Sequence, residues 1–254
     1  MKISNWQATE STFTHSYQQQ DLSLVWKQLH AADLETLPSG TLADAWLLFH
    51  NGHFEQAAQT ALSIGPKASA VLLRSVVAYT DYICEDEDEC VDLLKQAYKW
   101  ADSIDSNEVN HLFTTALAMG RYSQSISITK ALTKGLGGKI KNLLTAVLKA
   151  VPKHAEAHLA MAMYHAEIID KVGSTLGGLT YGANNKTALR HIESALELAP
   201  NAINLIEAGN AVLLLKGDKA MDEATEFYQQ AASVTPLDAL QAMDVEFAQS
   251  QLED

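Results

Sequence analysis

The sequence predicts an all-α fold built as an array of antiparallel helical hairpins, and three observations lead there. Alanine and leucine number 37 and 33 of the 254 residues, against 13 glycines and 5 prolines, so strong helix formers dominate and turn residues are scarce. Apolar residues recur at helical spacing in segments of about 12 to 17 residues, separated by short turns. A turn between two helices also recurs at a fixed interval. Gly52-His53-Phe54-Glu55-Gln56-Ala57 reads G-x-aromatic-x-x-A, and Gly120-Arg121-Tyr122-Ser123-Gln124-Ser125 repeats it 68 residues later, twice 34.

Taken in order, residues 1–20 are polar and rich in Gln, Ser and Thr, which predicts a loose arm. A first helix follows over Asp21 to Leu34, with Asp21 as N-cap and Leu22, Val25, Trp26 and Leu29 on its apolar stripe. Trp26 and Trp46 fit core positions. Midway between the two repeated turns lies Asp86, inside the turn of a helical pair running from about Val71 to Ala101, whose second helix carries Leu93, Leu94 and Ala97.

Further on, Pro152, Pro200 and Pro236 each follow an apolar-periodic helix, at spacings of 48 and 36. The first spacing exceeds 34 by 14, and the surplus lies between a helix over Ala155 to about Val172 and one starting near Lys186. It holds Gly173, Gly177, Gly178 and Gly182, a glycine density that marks a turn with positive φ or close backbone approach. Two accounts stand: a ligand-facing loop, or an elongated hairpin with a glycine-rich connection. The last unit turns at Gly217-Asp218 and continues through Ala224, Phe227, Tyr228 and Ala231 to Pro236. Leu240, Met243 and Phe247 then share one face of a terminal helix that suits a cap on the array. The organisation read from these landmarks is an arm and first helix over 1–40, degenerate hairpins over 41–150, two better-defined units over 151–236 with the insertion at 173–185, and a capping helix over 237–254.

The rhythm of Ala188, Ala195 and Pro200, and of Gly209, Ala224, Phe227, Tyr228, Ala231 and Pro236, resembles the tetratricopeptide repeat, a 34-residue helix-turn-helix unit. That resemblance spans about residues 41 to 236 and implies a right-handed superhelical solenoid and a role in protein–protein interaction. The long helix with its glycine-rich, Tyr-Gly-containing insertion, over about residues 153 to 236, also resembles the T-component family of TRAP transporters. That second resemblance implies a solute-binding accessory role in transport.

Charge narrows the function classes. Eighteen Lys and Arg against 31 Asp and Glu give a formal charge of −13, a field that repels phosphate backbones and anionic lipid. No run of 18 apolar residues and no secretory h-region occurs; a cytoplasmic location is expected, a periplasmic one only if the N-terminus is incomplete. Cys84 and Cys90, flanking an acidic run, are expected to be reduced thiols.

Chemistry-bearing patterns are few. Glu85 to Glu89 lacks the Gly and Glu that an EF-hand loop requires at Val91 and Ala97, so a solvated turn is expected. The insertion lacks the Lys-Ser/Thr pair of a P-loop. His154, His158 and His165 share one stripe of a helical wheel, and an i, i+4 pair such as His154 and His158 can hold a divalent ion with a third ligand; capping and packing are the favoured roles, and no metal site, cofactor or catalytic residue is assigned. Repeat register places Leu159, Met163, Ile206, Asn210 and Leu213 along an apolar concave groove, with Tyr181 of the insertion as a lid. The expected function is a non-enzymatic scaffold binding a protein segment, or a second copy, in that groove; the alternative is an apolar small-molecule site like that of the transport component.

Overall fold

In the computed structural model, which describes residues 3–8 and 16–253, every regular element among the described residues is a helix. These are α1 (Gln19–Leu29), α2 (Thr41–His50), α3 (Phe54–Ile64), α4 (Ser69–Tyr82), α5 (Glu87–Asp102), α6 (Val109–Gln124), α7 (Ile128–Thr133), α8 (Leu136–Ala150), α9 (Ala155–Val172), α10 (Ser174–Tyr181), α11 (Asn185–Leu198), α12 (Ala202–Lys216), α13 (Met221–Ala232) and α14 (Ala239–Glu253). Short 3₁₀ turns occupy Pro66–Ala68 and Gly217–Ala220. The all-α class is as expected from composition.

Local chemistry sets many of the boundaries. Asp86 caps α5, its Oδ1 accepting the Glu89 N–H at 2.9 Å, and Glu87, Asp88 and Glu89 occupy the first turn, where negative charge meets the positive end of the helix dipole. The acidic run is therefore a helix start as well as a turn. Asn184 caps α11 and Asn201 caps α12 in the same way, through Thr187 N–H at 2.9 Å and Asn204 N–H at 3.0 Å.

Several expectations are corrected. The helix α1 ends at Leu29 instead of Leu34, and Asp21 lies inside its first turn, its carboxylate accepting the Gln18 N–H at 2.8 Å. Residues 3–8 are no loose arm: Ile3 and Trp6 are buried, Trp6 stacks on Tyr79 with ring centroids 4.3 Å apart, and the Asn5 and Trp6 N–H groups donate to the Glu55 carboxylate. Residues 9–15 of that segment lie outside the described residues. Gly120 is no turn but lies inside α6; Met119 and Tyr122 on either side of it are buried, and their packing outweighs the roughly 1 kcal/mol that a mid-helix glycine costs. Cys84 and Cys90 are joined in a disulfide. The four residues between Tyr82 and Glu87 fold the chain back and bring the two Cα atoms to 6.2 Å, inside the range a disulfide spans.

The chain divides into two compact units. The first comprises the described residues up to His30, Glu35–Leu143 and Leu237–Leu240. Within it successive helices pack as hairpins, α2 with α3, α3 with α4, α4 with α5 and α5 with α6, while α4 also meets α2 and α6. Trp46, Leu72, Leu73, Leu94, Phe113 and Met119 fill its interior.

The second unit comprises Ala31–Leu34, Leu144–Pro236 and the described residues from Gln241 onward. Here α9 packs on both α11 and α12, and α12 packs on α13. Its core is rich in alanine: Ala162, Ala166, Ala195, Ala208, Ala211 and Ala224 are fully buried beside Leu159, Ile192 and Val212. Small residues at these contacts let helix backbones approach closely. Val245 and Ala248 of α14 cover Ala202, Leu205, Ile206 and Ala231. The buried face of α14 is not the expected one throughout, since Met243 is buried but Phe247 is exposed.

Candidate functional site

Of the residues expected to line an open groove, Leu159 and Ile206 are interior, while Met163, Asn210 and Leu213 are half-buried. Leu159 is 3% exposed and Ile206 2% exposed; the first belongs to the alanine-rich core and the second to the cluster under α14. Met163 and Leu213 are half-buried over the first of these clusters. Asn210 accepts the Tyr228 hydroxyl hydrogen bond at 2.8 Å. Packing within the second unit covers Leu159 and Ile206.

The insertion is a helix, not a loop. Gly173, at φ 82°, ends α9 and starts α10, and Gly182, at φ 64°, ends α10; both sit in a backbone region that side chains with a Cβ avoid. Gly177 faces α9: a Cβ there would lie 3.1 Å from Ile168 Cγ2, so a larger residue would need Ile168 to give by a few tenths of an ångström. Two polar links hold it. The Tyr164 hydroxyl donates to the Tyr181 carbonyl at 3.0 Å, and the Asn184 N–H donates to His165 Nδ1 at 3.3 Å. Tyr181 thus fastens the insertion through its backbone, with its side chain half-buried. On the opposite side, Leu176 and Leu179, one turn apart, are 54% and 84% exposed.

The histidines separate into different roles. His154 is fully buried and caps α9, its Nδ1 accepting the Ala157 N–H at 3.1 Å, so that nitrogen is committed to the helix start. His158, one turn on, meets a residue the sequence reading missed: His191 of α11, with the two Nδ1 atoms 2.8 Å apart. His158 Nε2 lies 2.9 Å from the Pro152 carbonyl. A carbonyl can only accept, so His158 Nε2 carries a proton, and one of the two Nδ1 atoms donates to the other. His165 stacks beyond, its ring centroid 6.3 Å from that of His191.

Burial, and then the neighbouring His158, His165 and Arg190, push the His191 imidazole down to about 4. The unfolded chain takes up that proton near pH 6.5 and the folded chain only near pH 4, so the unfolded state binds more protons in between and stability falls as pH falls through this window. For a half-buried group the expected loss is about 1 kcal/mol between pH 7 and pH 5. Urea titrations of EDTA-treated protein at both pH values should show it, and His191→Gln should flatten the difference; an unchanged pH slope in that variant refutes the assignment.

In the first unit a second buried polar cluster also escaped the sequence. His50 Nδ1 lies 2.7 Å from Asp238 Oδ2 and His50 Nε2 lies 3.2 Å from His30 Nε2. Trp26 stacks on His30 at 4.0 Å and Trp46 stacks on His50 at 5.6 Å. All three polar residues are at most 5% exposed, which suits a structural network closed to substrate. The signal that could have found these groups is weak. His158 and His191 are 33 residues apart, close to one repeat, whereas His50 and Asp238 are separated by 188 residues and no local pattern links them.

No family model matches the chain, and no curated protein matches it. Among the described residues no group of three or more His, Cys, Asp or Glu is placed to hold a metal ion, and no helix is long and apolar enough to cross a membrane.

Proposed function

We propose that this chain is a non-catalytic helical-repeat adaptor that holds an apolar segment of a partner protein on α10. The observation that carries the reading is the pair Leu176 and Leu179, 54% and 84% exposed on a short helix whose other side is anchored to α9. Scattered exposed leucines are ordinary, but two adjacent ones on a pinned insertion form the kind of surface that helix-in-groove partners cover. The chain's charge of −13 favours a partner segment with basic flanks.

Helices packing on both their neighbours and their next-but-one neighbours within each unit support the tetratricopeptide-like part of the proposal, and a right-handed superhelix is included in it. The solute-binding alternative calls for an apolar cavity beneath the insertion, and the close seating of Gly177 on Ile168 favours the protein partner instead.

A photo-crosslinking side chain at position 179, with one at the equally exposed Leu24 of α1 as control, tests this in lysate of the source cell. One defined protein should be captured at 179 and not at 24, and Leu176→Ser should weaken the capture at least fivefold. Identical capture at both positions, or none at 179, overturns the proposal.

A further inference from the structure

We propose that the Cys84–Cys90 disulfide is a reversible thiol-exchange site that admits neutral or cationic thiols and turns away anionic ones such as glutathione. The bond ties the chain just past α4 to the first turn of α5. Both cysteines are half-buried, and every residue between them, Glu85 to Glu89, is exposed. All of those residues are carboxylates, so an attacking thiol arrives within their field. The neighbouring cations are engaged elsewhere: Arg121 is held by Asp81 at 2.9 Å and by Gln124 at 3.2 Å, and Lys95 lies 3.6 Å from Asp92.

Charge decides which thiol succeeds, because exchange begins with a thiolate attacking one of the sulfurs. Five carboxylates at about 8 Å from a unit negative charge in water slow its approach roughly 30-fold at about 10 mM salt, where the Debye length is about 30 Å. At about 1 M salt that length is about 3 Å and the barrier all but vanishes. Glutathione attacks as a dianion and meets the full repulsion. The thiolate of cysteamine is balanced by its own ammonium group and does not. A dithiol carried on a neutral or basic protein surface is the partner this turn fits.

In the first step the incoming thiolate, its proton already given to solvent, bonds to one cysteine sulfur. The Cys84–Cys90 bond breaks, and the other cysteine leaves as a thiolate that takes up a proton. A second thiol, on the same reductant or on another molecule, then attacks the mixed disulfide and releases the first cysteine. The protein gains two electrons and two protons, and the reductant loses both on becoming a disulfide. Opening is a local event, since buried Leu93, Leu94 and Ala97 hold the body of α5 and Asp86 still caps its start. What it frees is an acidic turn whose like charges no longer have a covalent tie across them. The site is independent of the partner-binding reading and uses none of the same side chains.

The air-oxidised full chain, mixed with glutathione or with cysteamine at equal thiolate concentration, tests the site; new thiols at Cys84 and Cys90 are trapped with iodoacetamide and counted by mass spectrometry. At about 10 mM salt cysteamine should open the bond at least tenfold faster, and about 1 M NaCl should shrink the ratio below threefold. Replacing Glu85→Gln, Glu87→Gln and Asp88→Asn together should speed glutathione at least fivefold and change the cysteamine rate less than twofold. Removing the thiol and adding hydroxyethyl disulfide should close the bond again. The salt comparison needs only the unaltered chain, so it stands even if the triple variant folds poorly. Equal rates for the two thiols at low salt, a ratio indifferent to salt, a bond that neither reagent opens or that does not re-close, or free thiols at both positions in the air-oxidised chain overturns the proposal.

Discussion

Leu159→Asp is expected to unfold the second unit, while Leu179→Asp leaves stability within about 0.5 kcal/mol of the unaltered chain. Leu159 is packed with Ala162, Ala166, Ile192, Ala195, Ala208 and Ala211. Losing its buried side chain alone costs about 2–5 kcal/mol, and a carboxylate in its place has no cation to pair with in that cluster of apolar side chains and adds several kcal/mol or forces a proton onto itself. The sum approaches the whole stability of an ordinary domain, about 5–15 kcal/mol. Leu179, 84% exposed, has little burial to lose. Far-UV circular dichroism in urea separates the two, and a folded Leu159→Asp variant with an unshifted midpoint would sink this account of the core. The contrast bears on function: only Leu179 can be altered to probe partner binding without probing folding.

Asp238→Ala is expected to cost about 3 kcal/mol, the upper end of the penalty for leaving a buried polar group without its hydrogen-bond partner. It strips His50 Nδ1 of its 2.7 Å acceptor in a place from which water is excluded. The loss reaches His30 through the 3.2 Å contact between the two rings and disturbs the stacking of Trp26 and Trp46. Asp238→Asn retains an oxygen acceptor and should cost about half as much, because a neutral hydrogen bond replaces a charge-assisted one. Urea unfolding followed by tryptophan fluorescence measures both. A loss below about 1 kcal/mol for the alanine variant would mean that the His50 contact contributes little.

Much of the helix layout was legible because its signals are local. The apolar spacing of Ala155 to Val172 foretold α9, the turn at Asp86 separates α4 from α5 as read, and His154 before α9 is the cap that its position suggested. The glycine-rich stretch was read as a loop or a hairpin connection, and it holds a short helix. Glycine density signals a departure from ordinary backbone, and here Gly173 and Gly182 end helices while Gly177 admits a neighbour. The disulfide was misjudged because a spacing of six residues says nothing about where α5 begins, and it is the start at Glu87 that brings Cys84 and Cys90 together.

The candidate sites were less legible. An apolar stripe reports that a face must be covered, not what covers it. Leu159 and Ile206 read equally well as groove and as core, and the decision fell to α11, α12 and α14 packing over them. His191 sat unnoticed in an ordinary amphipathic helix because its meaning depends on the register of α11 against α9.

By itself the sequence determined the all-α class and the positions of many helices, since propensity, capping and periodicity act over a few neighbouring residues. Only the tertiary structure decided which apolar faces are interior, that α10 is a helix presenting Leu176 and Leu179, and that His158 meets His191 and His50 meets Asp238. Those are contacts between segments 33 and 188 residues apart, and the free energy that selects them comes from packing and desolvation summed over many side chains, which no local pattern encodes.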